Sequence, residues 1–489
     1  MNAYRKTTRA LGLVLAIASA CGDGLIEGGL YDSNGKPSLQ ATDYQDSTDE
    51  KSDGLRGRRG PSIDFDSQST QVWSVHRDWQ DYDPDAGMAW RALSGLSWDQ
   101  KYQAWVDSMQ RSGDTFSFTT PHGRSFGAPD LECAELAMFL RISFASWYGL
   151  PFFMEARSDG QRVFFGHMGI VDLEGRPWRS TPRFQSRFDD HSDLASGGTI
   201  ADDAWPRDES LRLRKIIGRA QDGQRVFSGA HAGTYFDEVF LNKRVGHFLS
   251  YQLGYLGSVN LADSANTFNL RATAFEPGDF LVERFGPTGV GHTVVIKEMR
   301  ELATTTMING ASVAQREVEV VSGSMPRRQG SWEGPTAARF YFLSEDFGGQ
   351  RSLAFGAGLK RFRSAINRGG KWTNVVLAAD ESSWIGSTQH AELLDRQSVY
   401  EELLPSLAPE ERMVALLEKI ESDRQWLREH PSSCAARTRR ERFFEALYQA
   451  GEELGLAKTA IDRDHRTLED YVFAELQYDE SKTCCWNSS

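Results

Sequence analysis

Two residues of this sequence, Cys133 and His292, are of the types that a thiol-based catalyst needs. Cys133 falls in the first turn of a predicted helix, where unpaired backbone N–H groups and the helix dipole stabilise a thiolate. His292 follows much later in the chain, at the start of a predicted strand. An imidazole beside a thiol takes its proton and later protonates a leaving amine. The pair predicts hydrolysis of a peptide or amide bond, with backbone N–H groups at the helix start stabilising the oxyanion.

Carboxylates near the thiol oppose this chemistry. Glu132 and Glu135 stand beside Cys133 in the sequence, and a neighbouring negative charge raises the pKa of a thiol. A buried, unreactive cysteine is also a common structural residue. The sequence therefore leaves a non-enzymatic role for Cys133 open.

The element that would position Cys133 is a helix of about 18 residues. Asp130 is suited to cap its N-terminus, because its carboxylate can accept from the free N–H groups of the first turn. Apolar residues then recur at helical spacing, which predicts a buried helix. Gly149 and Pro151 mark the C-terminal end.

The element that would position His292 is a sheet of antiparallel strands. The tripeptide Pro277-Gly278-Asp279 predicts a tight turn into a first strand, and His292 begins a second. Residues 316–321 and 338–343 are predicted to form a third and a fourth strand. Consecutive strands joined by short turns pair antiparallel, so the predicted fold class is α+β.

This order of features resembles the NlpC-like cysteine endopeptidases. The resemblance rests on a cysteine that opens a helix ending in Gly149-Leu150-Pro151, followed by Pro277-Gly278-Asp279 with a strand and by Gly291-His292 at the next strand. It covers residues 129–151 and 276–321. Members of this family have a papain-like fold, in which a helix-borne cysteine packs on an antiparallel sheet, and many cleave peptidoglycan stem peptides.

The resemblance implies a role for each matching residue. Cys133 corresponds to the nucleophile and His292 to the general base. A polar residue on the next strand orients the imidazole, and Glu319 and Ser322 are the candidates for it, although the family usually has His, Asn or Gln there. Compact family members have a much shorter gap between cysteine and histidine. The sequence thus predicts an insert at about residues 175–270, with a helix around 235–253.

Two other interpretations stay open. A transglutaminase-like thiol enzyme would use His167, which lies on a predicted strand soon after the Cys133 helix, with an acid such as Asp189. A catalytically inactive, lipid-anchored binding or envelope protein would keep a degenerate papain-like fold. Neither metal nor cofactor is predicted, because the ten histidines are scattered and no His-Glu-x-x-His is present.

The N-terminus predicts a lipid anchor. Basic residues precede a short apolar run in residues 1–20, as in a secretory signal peptide. The cleavage region resembles a bacterial lipobox, which implies that Cys21 is lipidated, with palmitate among the acyl chains, and holds the protein on a membrane. Because Gly22 and not Asp follows Cys21, the outer membrane is favoured over the inner membrane. Residues 21–70 are poor in apolar side chains and predict a disordered acidic tether.

Composition limits the partners. The chain has 489 residues and a formal net charge of −13, which argues against nucleic-acid binding because phosphate neutralisation needs a basic surface. The sequence contains no stretch of 18 or more apolar residues, so no membrane span is predicted. A cell-envelope location makes a cell-wall peptide or a protein the expected substrate, and the sequence sets no oligomeric state.

Beyond the papain-like α+β domain, predicted at residues 71–380, the pattern becomes helical. Apolar stripes predict a helical C-terminal domain over 381–489. An envelope location permits disulfides, so Cys434 is predicted to pair with Cys484 or Cys485.

Overall fold

The structure of this protein is a computed structural model. It describes residues 56–62, 69–178 except 159, 225–284 except 228 and 229, 291–386 except 325 and 326, and 390–472 except 406, 430, 432 and 433.

Strands and helices alternate irregularly along this part of the chain. The strands are β1 (Arg56–Ser62), β2 (Gln110–Ser112), β3 (Thr115–Thr119), β4 (Ser125–Gly127), β5 (Asp130–Leu131), β6 (Phe153–Ser158), β7 (Gln161–Gly166), β8 (Gly169–Asp172), β9 (Arg225–Phe227), β10 (Ala230–His231), β11 (Thr267–Leu270), β12 (Phe280–Val282), β13 (Thr293–Ile308), β14 (Ala311–Ser322), β15 (Arg328–Gln329), β16 (Ser331–Glu333), β17 (Gly358–Phe362), β18 (Ser364–Arg368), β19 (Lys371–Val376) and β20 (Trp384–Ile385). The α-helices are α1 (Trp98–Asp107), α2 (Cys133–Tyr148), α3 (Ala232–Phe240), α4 (Lys243–Gln252), α5 (Ser258–Ala262), α6 (Pro335–Leu343), α7 (Glu345–Gly348), α8 (Gln350–Leu353), α9 (His390–Leu403), α10 (Pro409–Glu429), α11 (Cys434–Glu453) and α12 (Lys458–His465).

A ten-stranded antiparallel sheet organises these elements. Its strand order is β2-β3-β16-β14-β13-β12-β17-β11-β20, with β4 added to β3. Side chains of β12 to β14 alternate between two cores. Val295 and Val321 join the core around α2, whereas Val294 and Val320 join the core formed with α6 and α9. The predicted combination of helices, an antiparallel sheet and a helical C-terminal region is confirmed.

Helix α2 is buried along most of its length. Every residue from Ala134 to Ala145 is buried, as expected for a helix that is apolar on all sides. Gly149 ends it with φ = 63°, the left-handed conformation predicted for this glycine. The predicted N-cap is wrong by two residues. Glu132 occupies that position, because Asp130 pairs with β15 as part of β5.

The described part of the region predicted as an insert, from residue 225 on, packs on α2. The ring of Phe236 on α3 lies 5.9 Å from that of Phe139, and Trp147 Nε1 donates to the carbonyl of Val239 at 3.2 Å. The predicted single helix over 235–253 is wrong. Leu241 takes a positive φ of 52° between α3 and α4, and the side chain of Asn242 caps the N-terminus of α4.

Two other predicted segments differ from the structure. Residues 338–343 form the greater part of α6 and not a strand, because Gly334 and Pro335 stand at the N-cap and first position of a helix. The predicted disordered tether contains β1, which pairs antiparallel with β19, so the tether prediction is wrong over residues 56–62.

The C-terminal helices pack on the sheet through α6. Helices α10 and α11 begin at Pro409 and Cys434, as the apolar stripes predict. Phe340 on α6 contacts Phe443 on α11, with ring centroids 5.2 Å apart. The predicted boundary at residue 381 comes slightly early, because β20 still pairs with β11 in the sheet.

The tripeptide that resembles a family motif has a structural role here. The carboxylate of Asp279 binds Arg361 on β17 through two hydrogen bonds of 2.7 Å, and both side chains are buried. Gly278 has φ = 91°, and a Cβ atom there would lie 2.5 Å from the Tyr102 ring. Arg361 also pairs with Asp380. The tripeptide therefore fixes β17 and the turn before β12.

Loss of this ion pair is expected to weaken the fold. Asp279→Asn leaves the buried guanidinium of Arg361 short of a charged partner, so the free energy of unfolding should fall by about 3 kcal/mol. Urea unfolding followed by circular dichroism measures this change. The matched control is Asp464→Asn, which removes an exposed ion pair with Arg463 and should leave the unfolding midpoint in place. Equal midpoint shifts for the two variants would contradict the assigned role of Asp279.

Candidate functional site

Cys133 begins α2 and lies against the backbone at the start of β13. Its Sγ donates to the carbonyl of Gly291 over 3.7 Å. The backbone N–H groups of Thr293 and Ala134 point at the sulfur and lower the pKa of the thiol. The residue keeps partial exposure and its thiol is free. The structure thus brings the predicted nucleophile to the strand that follows His292.

The surroundings of the sulfur keep it protonated. Burial raises the pKa of the Cys133 thiol to about 12, and the negative charge of Glu132 is the next largest cause. These effects outweigh the two backbone N–H groups. Burial also raises the pKa of Glu132 to about 7, with Glu135 adding to the effect. At neutral pH the thiol carries its proton.

A cation near this helix start, Arg327, is bound to a carboxylate. Arg327 donates to both carboxylate oxygens of Glu135, with Nε 2.9 Å from Oε2. The same Oε2 accepts the backbone N–H of Glu132 at 2.7 Å. Sequence reasoning missed Arg327, because it is distant from Glu135 along the chain and no motif marks it. Its charge pairs with that of Glu135 and lowers the pKa of Glu132, against the effects of burial and Glu135.

His292 lies on the opposite face of the sheet from Cys133. Adjacent residues of a strand point to opposite faces, and Val294 and Ile296 belong to the core on the α6 side. The His292 ring lies 5.9 Å from the ring of Tyr341 on α6. Burial lowers its pKa to about 3, and the charge of Arg439 on α11 lowers it further. The imidazole is neutral and faces the C-terminal helices.

A buried polar cluster surrounds this histidine. We call the following residues the interface cluster: His292, Ser322, Glu333, Tyr341, Asp423 and Arg439. Tyr341 Oη donates to Glu333 Oε2 at 3.0 Å, and Ser322 Oγ donates to Glu333 Oε1 at 3.3 Å. Arg439 on α11 forms a bidentate ion pair with Asp423 on α10. The cluster joins the sheet to α6, α10 and α11.

The two candidates for the third catalytic residue separate. Ser322 belongs to the interface cluster, on the face that His292 occupies. Glu319 accepts the indole N–H of Trp332, which belongs to the core around α2. Neither side chain forms a hydrogen bond with His292 in the described part of the chain. The predicted triad is therefore not assembled around Cys133.

The transglutaminase-like arrangement is also not formed. His167 Nδ1 lies 3.1 Å from the backbone nitrogen of Phe152, and its ring is 4.6 Å from that of Trp372. Burial lowers its pKa to about 4. Phe152 follows the C-terminal end of α2, whereas Cys133 stands at the N-terminal end. A helix of 16 residues is about 24 Å long, so His167 cannot reach the thiol.

Other predicted site residues fall outside this region. Cys21, Asp189, Cys484 and Cys485 lie outside the described residues, and Cys434 begins α11. No group of three or more potential metal ligands occurs among the residues described. Within the same part of the chain, no helix has the length and apolar character to cross a membrane.

Comparisons with known proteins give no relative. The sequence matches no protein-family model and no curated protein, and its fold matches no solved structure.

The thiol environment predicts slow alkylation of Cys133. Its iodoacetamide rate should keep rising between pH 7 and pH 10 without reaching a plateau, because the pKa lies at about 12. Mass spectrometry of the Cys133 peptide measures the rate. In Glu132→Gln the rate at pH 9 should rise several-fold, because a charge that raises the thiol pKa is gone. A plateau below pH 7 in the wild type would contradict the protonated thiol.

The buried imidazole predicts a pH-dependent stability. The pKa of His292 is about 3 in the fold and near 6.5 when unfolded, so the unfolded chain binds more protons between these values. This contribution is complete above about pH 6.5 and is lost as the pH falls toward 3. His292→Phe removes it, so urea midpoints at pH 7, 6 and 5 should decline less steeply than in the wild type. Identical slopes would show that His292 titrates normally in the fold.

Proposed function

We propose that this protein is a lipid-anchored component of the bacterial cell envelope that acts by binding and not by hydrolysis. The observation that carries the proposal is the position of His292, whose imidazole faces α6 and α11 across the sheet from Cys133. A cysteine hydrolase needs a base within hydrogen-bond reach of its nucleophile. The lipid anchor and the envelope location rest on the sequence of residues 1–21.

We also propose a divergent papain-like fold. Its support is the packing of a cysteine-bearing helix on an antiparallel sheet, with Cys133 against the Gly291 backbone. In place of a catalytic pair, the fold has two separated features. On one face, α2 holds a protonated thiol in a mostly buried environment. On the other face, the interface cluster ties the C-terminal helices to the sheet.

The charges of the interface cluster support a structural role for it. Glu333 is buried, and Lys419 on α10 lies 3.9 Å from its carboxylate. Lys419 and Arg439 hold the pKa of Glu333 below its ordinary value, although burial acts in the opposite direction. Separation of the C-terminal helices from the sheet would leave this carboxylate without those cations. Buried charges are stable only when paired, so the cluster favours one fixed position of α10 and α11.

A cysteine peptidase acting on peptidoglycan stem peptides is the second candidate. It is favoured by the partly exposed, free thiol at a helix N-terminus, where the N–H groups of Thr293 and Ala134 oppose the effect of burial on its pKa. This activity requires a base that reaches Cys133. His292 would supply it only if its side chain moved to the other face of the sheet.

Activity measurements separate the two functions. The full-length protein in detergent is incubated with peptidoglycan stem peptides, and products are followed by mass spectrometry. We expect no product that depends on Cys133, so wild type and Cys133→Ser should give the same trace. In the native bacterium, Cys133→Ser should leave the phenotype of the wild type, whereas deletion of the gene should not.

One pattern would overturn the proposal. A product formed by the wild type and lost in both Cys133→Ser and His292→Gln would assign hydrolysis to this pair. Cys133→Ser replaces one small side chain by another, and circular dichroism verifies its fold. Ser108→Ala, at the exposed C-terminal end of α1, is the control for a change of similar size in a different element.

A further inference from the structure

The C-terminal helices border an open cavity that no part of the hydrolase hypothesis uses. It lies between α6, the chain that follows α9, and helices α10 and α11, and its volume is about 350 Å³. This volume is within the range of small-molecule sites, which begins at about 300 Å³. Its apolar lining includes Phe340, Leu343, Pro405, Leu407, Leu416 and Ala446.

Two arginines, Arg339 and Arg412, line this cavity, and their positive charges repel each other. Arg339 donates from Nε to the carbonyl of Leu404 at 3.2 Å and from Nη2 to the carbonyl of Glu401 at 3.5 Å, and it makes no ion pair within the described residues. Its pKa is lowered, first by burial and then by the positive charge of Arg412, although the charge of Glu401 acts in the opposite direction. Arg412 pairs with Glu453, but its buried Nε has no hydrogen-bond partner among the residues described. Two like charges beside an apolar cavity favour an anion between them.

The acidic residues of the lining do not supply that anion. Glu317 pairs with Arg300, and Asp346 pairs with Arg442. Glu345 and Glu445 are exposed. Among the described residues Arg339 forms no ion pair: it donates to the backbone carbonyl of Glu401, whose carboxylate acts on it through space.

We propose that this cavity binds a small amphiphilic carboxylate. Its head group lies on Arg339 and Arg412, and its apolar body packs against Phe340, Leu343 and Leu416. A guanidinium matches a carboxylate through two parallel hydrogen bonds, and burial strengthens them. The inference rests on the proposed function, because it gives a binding protein its ligand class, and it places that site on α6, α10 and α11, away from Cys133.

Calorimetric titration of the full-length protein in detergent tests this proposal with sodium octanoate as the probe. Octanoate should bind, whereas 1-octanol, which lacks the charge, and acetate, which lacks the apolar body, should bind at least tenfold more weakly. Arg339→Gln should weaken octanoate binding by about tenfold or more, since a hydrogen bond to a charged group contributes about 1.5–3 kcal/mol. Ala446→Leu, which fills the cavity, should abolish binding.

Arg111→Gln is the matched control, because Arg111 lies on β2 and donates to the carbonyl of Gly113. It should bind octanoate like the wild type. The proposal fails if octanol binds as tightly as octanoate, if both Arg339→Gln and Ala446→Leu keep the wild-type affinity, or if octanoate does not bind at millimolar concentration. If the protein binds octanoate and also cleaves peptides through Cys133, the proposed function is refuted but the proposal of a carboxylate site in the cavity stands. A protein that does neither would refute the cavity alone.

Discussion

The burial of α2 is the constraint on which the rest of this structure depends. A helix that is apolar on every side has no face for solvent, so it must be enclosed. The sheet covers it through Val282, Val295 and Val321, while α3 and α4 cover another side. The single cation in its middle, Arg141, pairs with Asp99 on α1 at 2.8 Å and stacks on the Trp79 ring. Even the charge on this helix is therefore part of its packing.

Enclosure of α2 decides the chemistry at its first residue. A helix N-terminus favours an anion by about 0.3–1 kcal/mol, and each tenfold change in the thiolate population corresponds to about 1.4 kcal/mol. Burial and Glu132 raise the pKa of Cys133 to about 12, which is a larger effect with the opposite sign. The position typical of a reactive thiol is thus not sufficient for a reactive thiol. A catalytic cysteine at a helix start needs a nearby cation to stabilise its thiolate. Arg327 forms an ion pair with Glu135 instead.

The sequence predicted those features that depend on local chemistry. Gly149 ends α2 and Cys133 begins it, because a left-handed glycine turn and the start of an apolar helical run are set by a few neighbouring residues. Features set by distant residues were not predictable in this way. The break between helices α3 and α4 falls at Leu241, where no glycine or proline indicates it. The partner of Asp279 lies on β17, far along the chain.

The candidate site shows the same division more sharply. The sequence placed Cys133 at a helix start and His292 beside a strand, and both positions agree with the structure. It did not show which face of the sheet the imidazole occupies, since that depends on which core each strand residue joins. It also missed the interface cluster, because Glu333, Tyr341 and Arg439 come from three different elements.

The two-residue alternation of β13 has an evolutionary consequence. A shift of one position along a strand moves every following side chain to the opposite face. A relative with one extra residue between His292 and Thr293 would turn its imidazole to the face of the sheet on which Cys133 lies, and the polar surroundings of the imidazole on the α6 side would be lost. Gain or loss of hydrolysis in such a lineage would therefore need no change at the cysteine or the histidine. The same cysteine and histidine would be present in both proteins. Only the number of residues between the histidine and the strand would reveal the difference.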